Sequence, residues 1–523
     1  MSSPSDSSAR AACARLCVSA LSGGGGKTLL SLGLARAFAR RGVTVKPFKK
    51  GPDYIDAAWL GMAARQTAVN LDPHVLAPDG LRALFAHSLR EAGVHAPLLA
   101  LVEGNRGLFD GLDVAGSCST AALARTLGCP LVLALDCTKM TRTAAALVRG
   151  VLAFEPDLTF AGLVLNQVGS ARHESLLRRV LEEYTDLPVL GALPRMERNP
   201  LPERHMGIAT SGGRITPELD RLLEELGDFV EGHVDMPSVL EAAFRAPPLF
   251  ETPSFWPDDA PKDPGTRPEA LYSGVGRRFV RRPRIGYVRD SAFWFYYPEN
   301  LEALARSGAE LVELALVGAA AGESPPECPP PASGAASSWV WPGAGELHGL
   351  YLGGGFPEDW GRALSASPAM RLLARWAGEG MPIYAECGGF LLLARVMESA
   401  GAQWPMSGVF PVRAEFQDRP QGLGYVRAVV TADNPWFPRG MELLGHEFHY
   451  SRCLWEKTPP PHALSLSRGR GMGRHPADAA RCFDGLLYKN VWASYMHIFA
   501  PAIPCWARNF VDLAQNFAER EGA

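Results

Sequence analysis

The chain has 523 residues, 47% of them apolar, and a formal net charge of -3 from 52 basic and 55 acidic side chains. Single hydrophobic cores stop growing at roughly 250–300 residues, so two or three domains are expected. The balanced charge supplies no field suited to nucleic acid or an anionic membrane, and neither is expected as a partner.

The ten cysteines are sparse and irregularly spaced, and no CxxC or Cys/His cluster indicates a zinc site. Residues 1–14 lack the apolar core of a secretory signal and are predicted to be a disordered extension. No run of about 18 apolar residues occurs, so no transmembrane helix is expected and the protein is predicted to be cytoplasmic.

From residue 15 to about residue 192, short apolar runs alternate with helix-length segments. Strands that are apolar throughout are buried on both faces, which predicts an α/β domain with a parallel sheet over residues 15–245. The predicted strands are RLCVSA, VTVKPF, PLLALVEG, PLVLALD and FAGLVLNQV.

A run of glycines that includes Gly24 and Gly26 follows the first strand and precedes a helix that opens at Lys27. Glycines let backbone N–H groups approach phosphate oxygens, Lys27 supplies a cation, and Thr28 supplies a hydroxyl for magnesium. The strict phosphate-loop pattern has a glycine where this chain has Leu21, and a flexible turn would also explain the run. The strand, loop, Lys-Thr and helix in succession favour an ATP site.

Two acidic residues follow the next predicted strands. Asp53 comes after the second strand in PFKKGPDYID, and Glu103 ends the third in LLALVEG. Both lie at the carboxyl ends of strands, where open parallel sheets bind ligands. A magnesium ion bound to phosphates takes one or two carboxylates and a hydroxyl, so Thr28, Asp53 and Glu103 are predicted to hold Mg²⁺. The alternative for each acid is a solvated loop position.

The segment 246–283 is rich in Pro and Asp and is predicted to be a linker. The alternation resumes with RIGYVRD, AELVEL, GLYLGGG and MPIYAECGG, which predicts a second parallel-sheet α/β domain over residues 284–523. Residues 318–345 form a low-complexity stretch that is expected to be a mobile surface insertion, and its Cys328 is not expected to matter.

Cys387 stands in YAECGGF, where a predicted strand turns into a helix. The helix N-terminus is expected to lower the pKa of the thiol, and the arrangement is similar to a serine nucleophile elbow. The N–H groups of Gly354, Gly355 and Gly388 are candidate oxyanion donors. A cysteine is more often a small buried hydrophobe, and that interpretation fits the chain's other cysteines in apolar strands, which are Cys17, Cys129 and Cys137.

Several long segments, in order, resemble the cobyrinate a,c-diamide synthase family, glutamine-dependent amidotransferases of cobalamin biosynthesis. The resemblance runs from about residue 15 to residue 499. It implies a dethiobiotin-synthetase-like phosphate-loop domain, followed by a class I glutamine amidotransferase domain. The most specific segments are PFKKGPDYID, NLDP, VEGNRGLFDG, LPERHMG, FYYPENLEAL, LYLGGGFPE, YAECGG, QGLGY, GHEFHYS and ASYMHIF.

Positions of this chain that match the family's motifs are expected to have the functional roles that those positions have in the family. The resemblance implies that Asn166 contacts adenine and that Tyr54, Asp110 and also Asp53 lie on the substrate side. Lys49, beside them, is expected to stabilise charge on a transferring phosphoryl group.

His497 in ASYMHIF matches the family's catalytic histidine and is the expected base for Cys387. Amidotransferases of this class often carry an acid two residues later, where this chain has Phe499. A Cys–His dyad, or an acid from elsewhere, is therefore expected. His446 and His449 are the alternative bases, although a packing or substrate-side role is favoured for them, and metal binding is disfavoured.

The segment FYYPENL, which contains Glu299 and Asn300, is predicted either to start a helix with partly buried rings or to contact substrate. The sequence favours neither the helix start nor the substrate contact over the other.

The resemblance implies ATP-dependent amidation of the a and c acetate carboxylates of cobyrinate through an acyl phosphate, with glutamine or ammonia as the nitrogen donor. The expected partners are a corrin or related tetrapyrrole, glutamine and ATP, with Mg²⁺ as cofactor and a homodimer left open. Alternatives are the same chemistry on hydrogenobyrinate or a nickel-sirohydrochlorin, a degenerate amidotransferase kept as a scaffold, or a non-catalytic nucleotide-dependent binding protein.

Overall fold

The chain forms two compact units that divide between residues 255 and 256. LPERHMG, Cys328 and nearly all of the predicted extension and insertion lie outside the described residues. Within the insertion, Trp341 is described and is buried, and its Nε1 donates a hydrogen bond to the Ala315 carbonyl oxygen at 2.8 Å. The computed structural model describes residues 13–93, 97–196, 215–249, 252–256, 282–317, 341, 346–455, 459–475 and 478–521.

The first unit is built on a seven-stranded sheet in which all paired strands are parallel. Its strands are β1 (Ala14–Ala20), β2 (Thr44–Lys50), β3 (Val69–Leu71), β4 (Leu98–Glu103), β5 (Leu131–Asp136), β6 (Phe160–Val168) and β7 (Val189–Pro194). They lie in the order β3-β2-β4-β1-β5-β6-β7. The predicted parallel α/β sheet and its five predicted strands are confirmed, and β3 and β7 were not predicted.

Eight described helices accompany this sheet. They are α1 (Lys27–Arg40), α2 (Tyr54–Ala64), α3 (Pro78–Glu91), α4 (Thr120–Leu127), α5 (Thr143–Phe154), α6 (Ala171–Tyr184), α7 (Pro217–Glu231) and α8 (Met236–Phe244). Five of them begin at a side chain that accepts a hydrogen bond from the N–H three residues later, which satisfies a donor that the helix leaves unpaired. These caps are Asp53, Ser119, Ser170, Thr216 and Asp235.

Helix α1, which follows the glycine run, is held against α7. Arg36 is fully buried, and its Nη1 lies 2.7 Å from Asp220 Oδ1 and 2.8 Å from Glu224 Oε1. A Cβ at Gly33 would lie 2.7 Å from Val230 Cβ, so the two helices approach too closely there for a side chain. This contact fixes the helix whose first turn borders the glycine run.

The second unit has a central eleven-stranded sheet, whose strands are given with their residue ranges below. Their order is β10-β8-β11-β13-β23-β22-β20-β17-β18-β24, with β21 beside β22. The pairs from β10 to β23 are parallel and the remaining pairs are antiparallel. The parallel strands are β8 (Arg284–Val288), β10 (Glu310–Leu314), β11 (Gly349–Leu352), β13 (Ile383–Glu386) and β23 (Val491–Ser494). The antiparallel strands are β17 (Gly422–Val430), β18 (Glu442–His449), β20 (His462–Arg468), β21 (Gly473–His475), β22 (Asp478–Tyr488) and β24 (His497–Ile498).

Two small sheets complete the unit. Strands β9 (Phe293–Phe295) and β12 (Gly354–Gly355) form one, and the other has the order β15-β14-β16-β19. Its strands are β14 (Ala394–Ser399), β15 (Ala402–Pro405), β16 (Phe410–Phe416) and β19 (Ser451–Trp455). The helices are α9 (Pro298–Arg306), α10 (Gly361–Ala366), α11 (Ala369–Glu379), α12 (Gly388–Leu393) and α13 (Cys505–Glu521), with 3-10 turns at Pro357–Trp360 and Ala500–Ala502.

The predicted α/β class is therefore confirmed, and the second sheet is mixed because an antiparallel half extends the predicted parallel strands. No helix in the described ranges combines the length and the apolar character needed to cross a membrane.

A glycine pair offers a test of how α12 is packed. A Cβ at Gly389 would lie 2.6 Å from the carbonyl carbon of Leu352 at the end of β11, whereas a Cβ at Gly378 in α11 would meet nothing within 4 Å. Gly389→Ala is expected to destabilise the protein by about 1–3 kcal/mol or more through overpacking. Gly378→Ala is the matched control and is expected to be neutral or stabilising by up to about 1 kcal/mol. Thermal unfolding followed by circular dichroism measures both, and equal melting temperatures would contradict this packing.

Candidate active sites

The loop between β1 and α1 leaves room for an anion. Gly24 and Gly26 have φ angles of 76° and 94°, where side chains are disfavoured. Positions for Cβ atoms at Gly23 and Gly24 have no neighbouring atom within 4 Å. Helix α1 begins directly after the loop, so the unpaired N–H groups of its first turn and its dipole favour a phosphate there.

Lys27 crosses this loop. Its Nζ donates a hydrogen bond to the Ser22 carbonyl oxygen at 2.9 Å. Burial lowers the pKa of Lys27, while the carboxylates of Glu103, Asp56 and Asp110 oppose that effect. The amino group therefore lies within electrostatic reach of the acids at the ends of the neighbouring strands.

A buried charged cluster lies beside the loop. Lys49 Nζ is 2.6 Å from Asp56 Oδ2 and 2.7 Å from Glu103 Oε1, and the Thr28 hydroxyl donates to Glu103 Oε1 at 2.9 Å. Burial lowers the pKa of Lys49, but the carboxylates of Glu103 and Asp56 outweigh it and the net shift is upward. Burial raises the pKa of Glu103, against the lowering effect of Lys49. Lys49 is therefore held as a cation.

One atom of this cluster fits a divalent cation. Glu103 Oε2 is buried and has no hydrogen-bond partner among the described residues. A buried carboxylate oxygen without a partner is costly, and a cation bound there with the Thr28 hydroxyl would satisfy it. Oxygen donors of this kind suit Mg²⁺. Asp53, the third predicted ligand, caps α2 by accepting from the Asp56 N–H at 2.9 Å and also raises the pKa of Lys49.

The residues expected to contact adenine and substrate lie around the same sheet edge. Asn166 is buried, its Nδ2 donates to the Gly25 carbonyl oxygen at 3.3 Å, and it thus supports the loop. Tyr54 is the first residue of α2 and is partly buried. Asp110 is exposed and accepts a hydrogen bond from the Gly107 N–H at 2.9 Å. A cavity of about 350 Å³ borders the loop, and its lining includes Leu21, Ser22, Gly25, Asp136, Met140 and Leu147.

Cys387 occupies a strained turn between β13 and α12. Its φ is 49° and its ψ is -106°, a conformation that non-glycine residues rarely adopt. Its N–H donates to the Ser494 carbonyl oxygen at 2.7 Å, and its Sγ lies 3.6 Å from the Phe448 carbonyl oxygen. The predicted strand-to-helix turn is confirmed, and the backbone has the form of a nucleophile elbow.

The expected lowering of the thiol pKa is wrong in direction. Burial raises the pKa of Cys387, the Glu358 carboxylate raises it further, and the Gly388 N–H lowers it only in part. Helix α12 has six residues, and the Cys387 side chain is 6% exposed, so desolvation dominates. The free thiol is therefore protonated at neutral pH and needs a base to become a nucleophile.

His497 lies in β24 and is 2% exposed. A Cβ at Gly354 would lie 2.6 Å from its Cε1 and 3.2 Å from its Nε2, so the ring packs against that glycine. Its other nitrogen, Nδ1, is 3.5 Å from Glu386 Oε2. The ring stacks on His446, its partner across the β18–β24 pair, with centroids 4.9 Å apart.

The three glycines proposed as oxyanion donors lie together. A Cβ at Gly388 would be 2.9 Å from the Gly355 nitrogen and 3.4 Å from the Gly354 carbonyl carbon. Gly354 and Gly355 form β12, which pairs with β9. The structure thus brings this loop against the residue that follows Cys387 and against the His497 ring.

Neither alternative histidine has the surroundings of a metal site. His446 stacks on His497, and His449 stacks on Tyr495 with centroids 3.6 Å apart while its Nδ1 lies 2.8 Å from the Ser451 carbonyl oxygen. Across the described ranges, neither belongs to a group of three side chains that could hold a metal ion. The packing role is the one these contacts support.

Asn300 is fully buried and acts as a structural clamp. Its Nδ2 donates to the Ile498 carbonyl oxygen at 3.0 Å, and its Oδ1 accepts from the Ala500 N–H at 2.7 Å. Glu299 is 4% exposed. Phe499 is buried with its ring edge-on to Tyr297, centroids 5.2 Å apart.

The sequence analysis missed two acids. Asp56 pairs with Lys49, and the sequence feature that could have indicated it is its position three residues after Asp53, in the first turn of a helix. Glu386 faces His497, and the only sequence feature that could have indicated it is its position next to Cys387.

Comparisons with known proteins match both units. Residues 16–208 match the CobQ/CobB/MinD/ParA nucleotide binding domain, and residues 284–502 match the CobB/CobQ-like glutamine amidotransferase domain. Proteins named cobyrinate a,c-diamide synthase from Magnetococcus marinus, Dehalococcoides mccartyi and Archaeoglobus fulgidus are 38%, 35% and 33% identical to this chain. The alignments cover 94%, 96% and 94% of this chain and 95%, 98% and 95% of those proteins. The chain belongs to the cobyrinate a,c-diamide synthase family.

Proposed function

We propose that the protein converts the a and c acetate carboxylates of cobyrinate into amides, using ATP and the nitrogen of glutamine or free ammonia. The observation that carries this proposal is the presence of two reactive turns on one chain. One is the open phosphate loop that ends at Lys27, and the other is the strained elbow at Cys387. A protein that only binds nucleotide would have no use for the second turn.

The first step activates a carboxylate. A carboxylate oxygen of the substrate attacks the γ-phosphorus of ATP, the bond to the ADP oxygen breaks, and an acyl phosphate and ADP result. Lys27 and Lys49 place positive charge where the phosphoryl group transfers. Mg²⁺ held by Thr28, Glu103 and Asp53 would neutralise phosphate charge.

Other residues of the first unit are proposed to hold the two substrates. Asp53, Tyr54 and Asp110 are assigned to the substrate side of the site. Asn166 is assigned to adenine. One hydrogen of its Nδ2 is donated to the Gly25 carbonyl oxygen, which leaves the second hydrogen and the amide oxygen for that contact.

The second step releases ammonia. Because burial keeps the Cys387 thiol protonated, His497 takes its proton as sulfur attacks the amide carbon of glutamine. The N–H groups of Gly355 and Gly388 stabilise the oxyanion that forms. The proton then passes from His497 to the departing ammonia, and water hydrolyses the thioester to glutamate.

The third step joins the two products. Ammonia attacks the carbonyl carbon of the acyl phosphate, the carbon–oxygen bond to phosphate breaks, and the nitrogen loses a proton to give the amide. An acyl phosphate hydrolyses in bulk water, so the first site must exclude water while it waits for ammonia. Two rounds produce the diamide.

The Cys387→Ala variant tests the division of labour. With glutamine, amidation is expected to fall by on the order of 10³-fold or more, because the nucleophile is lost. With ammonium salts it is expected to remain near the wild-type rate, because the first site is intact. Mass spectrometry of cobyrinate incubated with ATP and Mg²⁺ counts acid-to-amide exchanges, two of which are expected for wild type.

Cys505→Ala is the matched control, since that cysteine is partly buried in the same unit and should leave both activities unchanged. Loss of the ammonium-dependent activity in Cys387→Ala would contradict the scheme. Absence of exchange by the wild-type protein on cobyrinate, with exchange on hydrogenobyrinate or a nickel-sirohydrochlorin, would reassign the substrate.

The Lys27→Ala variant is the reciprocal test. Loss of the loop cation is expected to lower amidation with either nitrogen donor by about 10²–10³-fold. Hydrolysis of glutamine to glutamate should persist, because Cys387 and His497 are untouched. A coupled glutamate assay and the amide count together measure the variant. Wild-type amidation by Lys27→Ala would refute the assignment of this loop to ATP.

A further inference from the structure

We propose that Glu386, the residue directly before the nucleophile, is the positioning acid of His497. This inference rests on the proposed release of ammonia at Cys387. It places the third member of the site on β13, whereas amidotransferases with an acid two residues after the histidine would place it at Phe499 in this chain.

The Glu386 carboxylate lies at the Nδ1 side of the His497 ring, opposite the Nε2 side that faces Gly354. Glu386 Oε2 is 3.5 Å from His497 Nδ1, and both side chains are at most 2% exposed. The other oxygen, Oε1, accepts a hydrogen bond from the N–H of Ile498 at 3.0 Å. The same carboxylate thus binds the main chain next to the histidine and lies at ion-pair distance from the ring. Hydrogen bonds of catalytic groups are often long before substrate binds and tighten afterwards.

The strained turn explains how the adjacent residues Glu386 and Cys387 can both act with the His497 ring. Successive side chains of a strand point to opposite faces, so Glu386 and Cys387 would diverge in a regular strand. The positive φ at Cys387 ends that alternation. With Nδ1 directed at Glu386, the Nε2 edge of His497 lies at Gly354, in the glycine loop that contacts Gly388.

A buried network fixes Glu386 in place. The Tyr351 hydroxyl donates to Glu386 Oε2 at 2.9 Å, and Asn300 Nδ2 donates to the Tyr351 oxygen at 3.2 Å. Asn300 also binds both the Ile498 carbonyl oxygen and the Ala500 N–H. Two buried side chains, Tyr351 and Asn300, therefore link the Glu386 carboxylate to the segment that carries His497.

Two other buried acids of the unit are already engaged with main-chain donors. Asp484 accepts from the N–H groups of Gly485, Tyr495 and Met496. Glu447 accepts from the N–H groups of Arg470 and Gly471, at 2.6 and 2.7 Å. Glu447 Oε2 also lies 3.5 Å from His449 Nε2, so that acid faces a different histidine. Glu386 is the acid that lies beside the His497 ring.

The chemistry follows from a carboxylate at Nδ1. When the pair closes from its 3.5 Å separation, Glu386 accepts the Nδ1 hydrogen, which selects the tautomer whose Nε2 is free to take the Cys387 proton. The carboxylate then stabilises the imidazolium until the proton moves to the leaving ammonia. Glu386 acts through the histidine ring in this scheme.

The decisive variant is Glu386→Gln, which preserves shape and removes the charge. The kcat for glutamine hydrolysis is expected to fall by about 10²–10⁴-fold with KM changed less than about threefold, because substrate contacts remain. Ammonium-dependent amidation and the melting temperature should stay near wild type. Steady-state glutamate release measures the first two quantities.

Two further variants separate positioning from folding. Glu386→Asp keeps the charge and is expected to recover at least tenfold of the lost kcat. Tyr351→Phe is the matched control, because it removes a hydrogen bond to the carboxylate and leaves the charge at Nδ1. It is expected to lower kcat by less than about tenfold.

The outcomes distinguish this inference from the proposed function. A kcat within about threefold of wild type in Glu386→Gln, with glutaminase abolished in Cys387→Ala, would overturn the inference and leave the function standing. Loss of both the glutamine and ammonium activities together with a lower melting temperature would also overturn it, since the role would be structural. Absence of glutaminase in the wild-type protein would instead overturn the proposed function.

Discussion

Both candidate sites of this protein, the phosphate loop before Lys27 and the elbow at Cys387, depend on one backbone constraint, which is a turn with positive φ after a buried parallel strand. In the first unit Gly26 makes that turn after β1, and in the second Cys387 makes it after β13. A turn of this kind directs the next N–H groups and the first residue of a helix toward the same point. Glycine adopts it freely, while a cysteine does so only where surrounding structure enforces it.

The surroundings of Cys387 supply that enforcement. Its N–H is bonded to β23, and Gly389 lets α12 come against the end of β11 without a side chain between them. The same burial that makes the turn rigid also raises the pKa of the thiol. A rigid elbow and a free thiolate are therefore in conflict here, and the proposed scheme assigns the removal of the thiol proton to His497, with Glu386 beside it. In the proposed scheme the strain has a role, because Glu386 and Cys387 would point to opposite faces of a regular strand.

In both units, buried charged side chains lie next to polar or charged partners. Lys49 lies between Asp56 and Glu103, and Glu386 lies between Tyr351, the Ile498 N–H and His497. Removing an ion from water is costly, and such groups persist where each charge finds a partner. The exception is Glu103 Oε2, which lacks a hydrogen-bond partner within the part of the chain that the structure describes. That unbalanced oxygen is what a divalent cation would balance.

Local sequence patterns predicted the features that depend on short stretches of chain. Continuous apolar runs identified most of the parallel strands, although not β3, β7 or β23, and the order of strand, glycine and helix identified the turns at Lys27 and Cys387. The antiparallel half of the second sheet was not predicted, because its strands do not form continuous apolar runs; β17, for example, alternates buried and exposed residues. Glu386 was missed because only the folding of distant segments brings His497 beside it. The direction of the Cys387 pKa shift was wrong because a helix N-terminus is visible in sequence and desolvation is not.

We infer that the two turns serve one reaction, in which a phosphorylated carboxylate receives ammonia. The most direct measurement uses cobyrinate with ¹⁸O in its carboxylates, incubated with ATP, Mg²⁺ and glutamine, followed by isotope analysis of the released phosphate. The account predicts one ¹⁸O atom in the phosphate for each amide formed, because the carboxylate oxygen that attacks ATP leaves with phosphorus. Amide formation with unlabelled phosphate would contradict it.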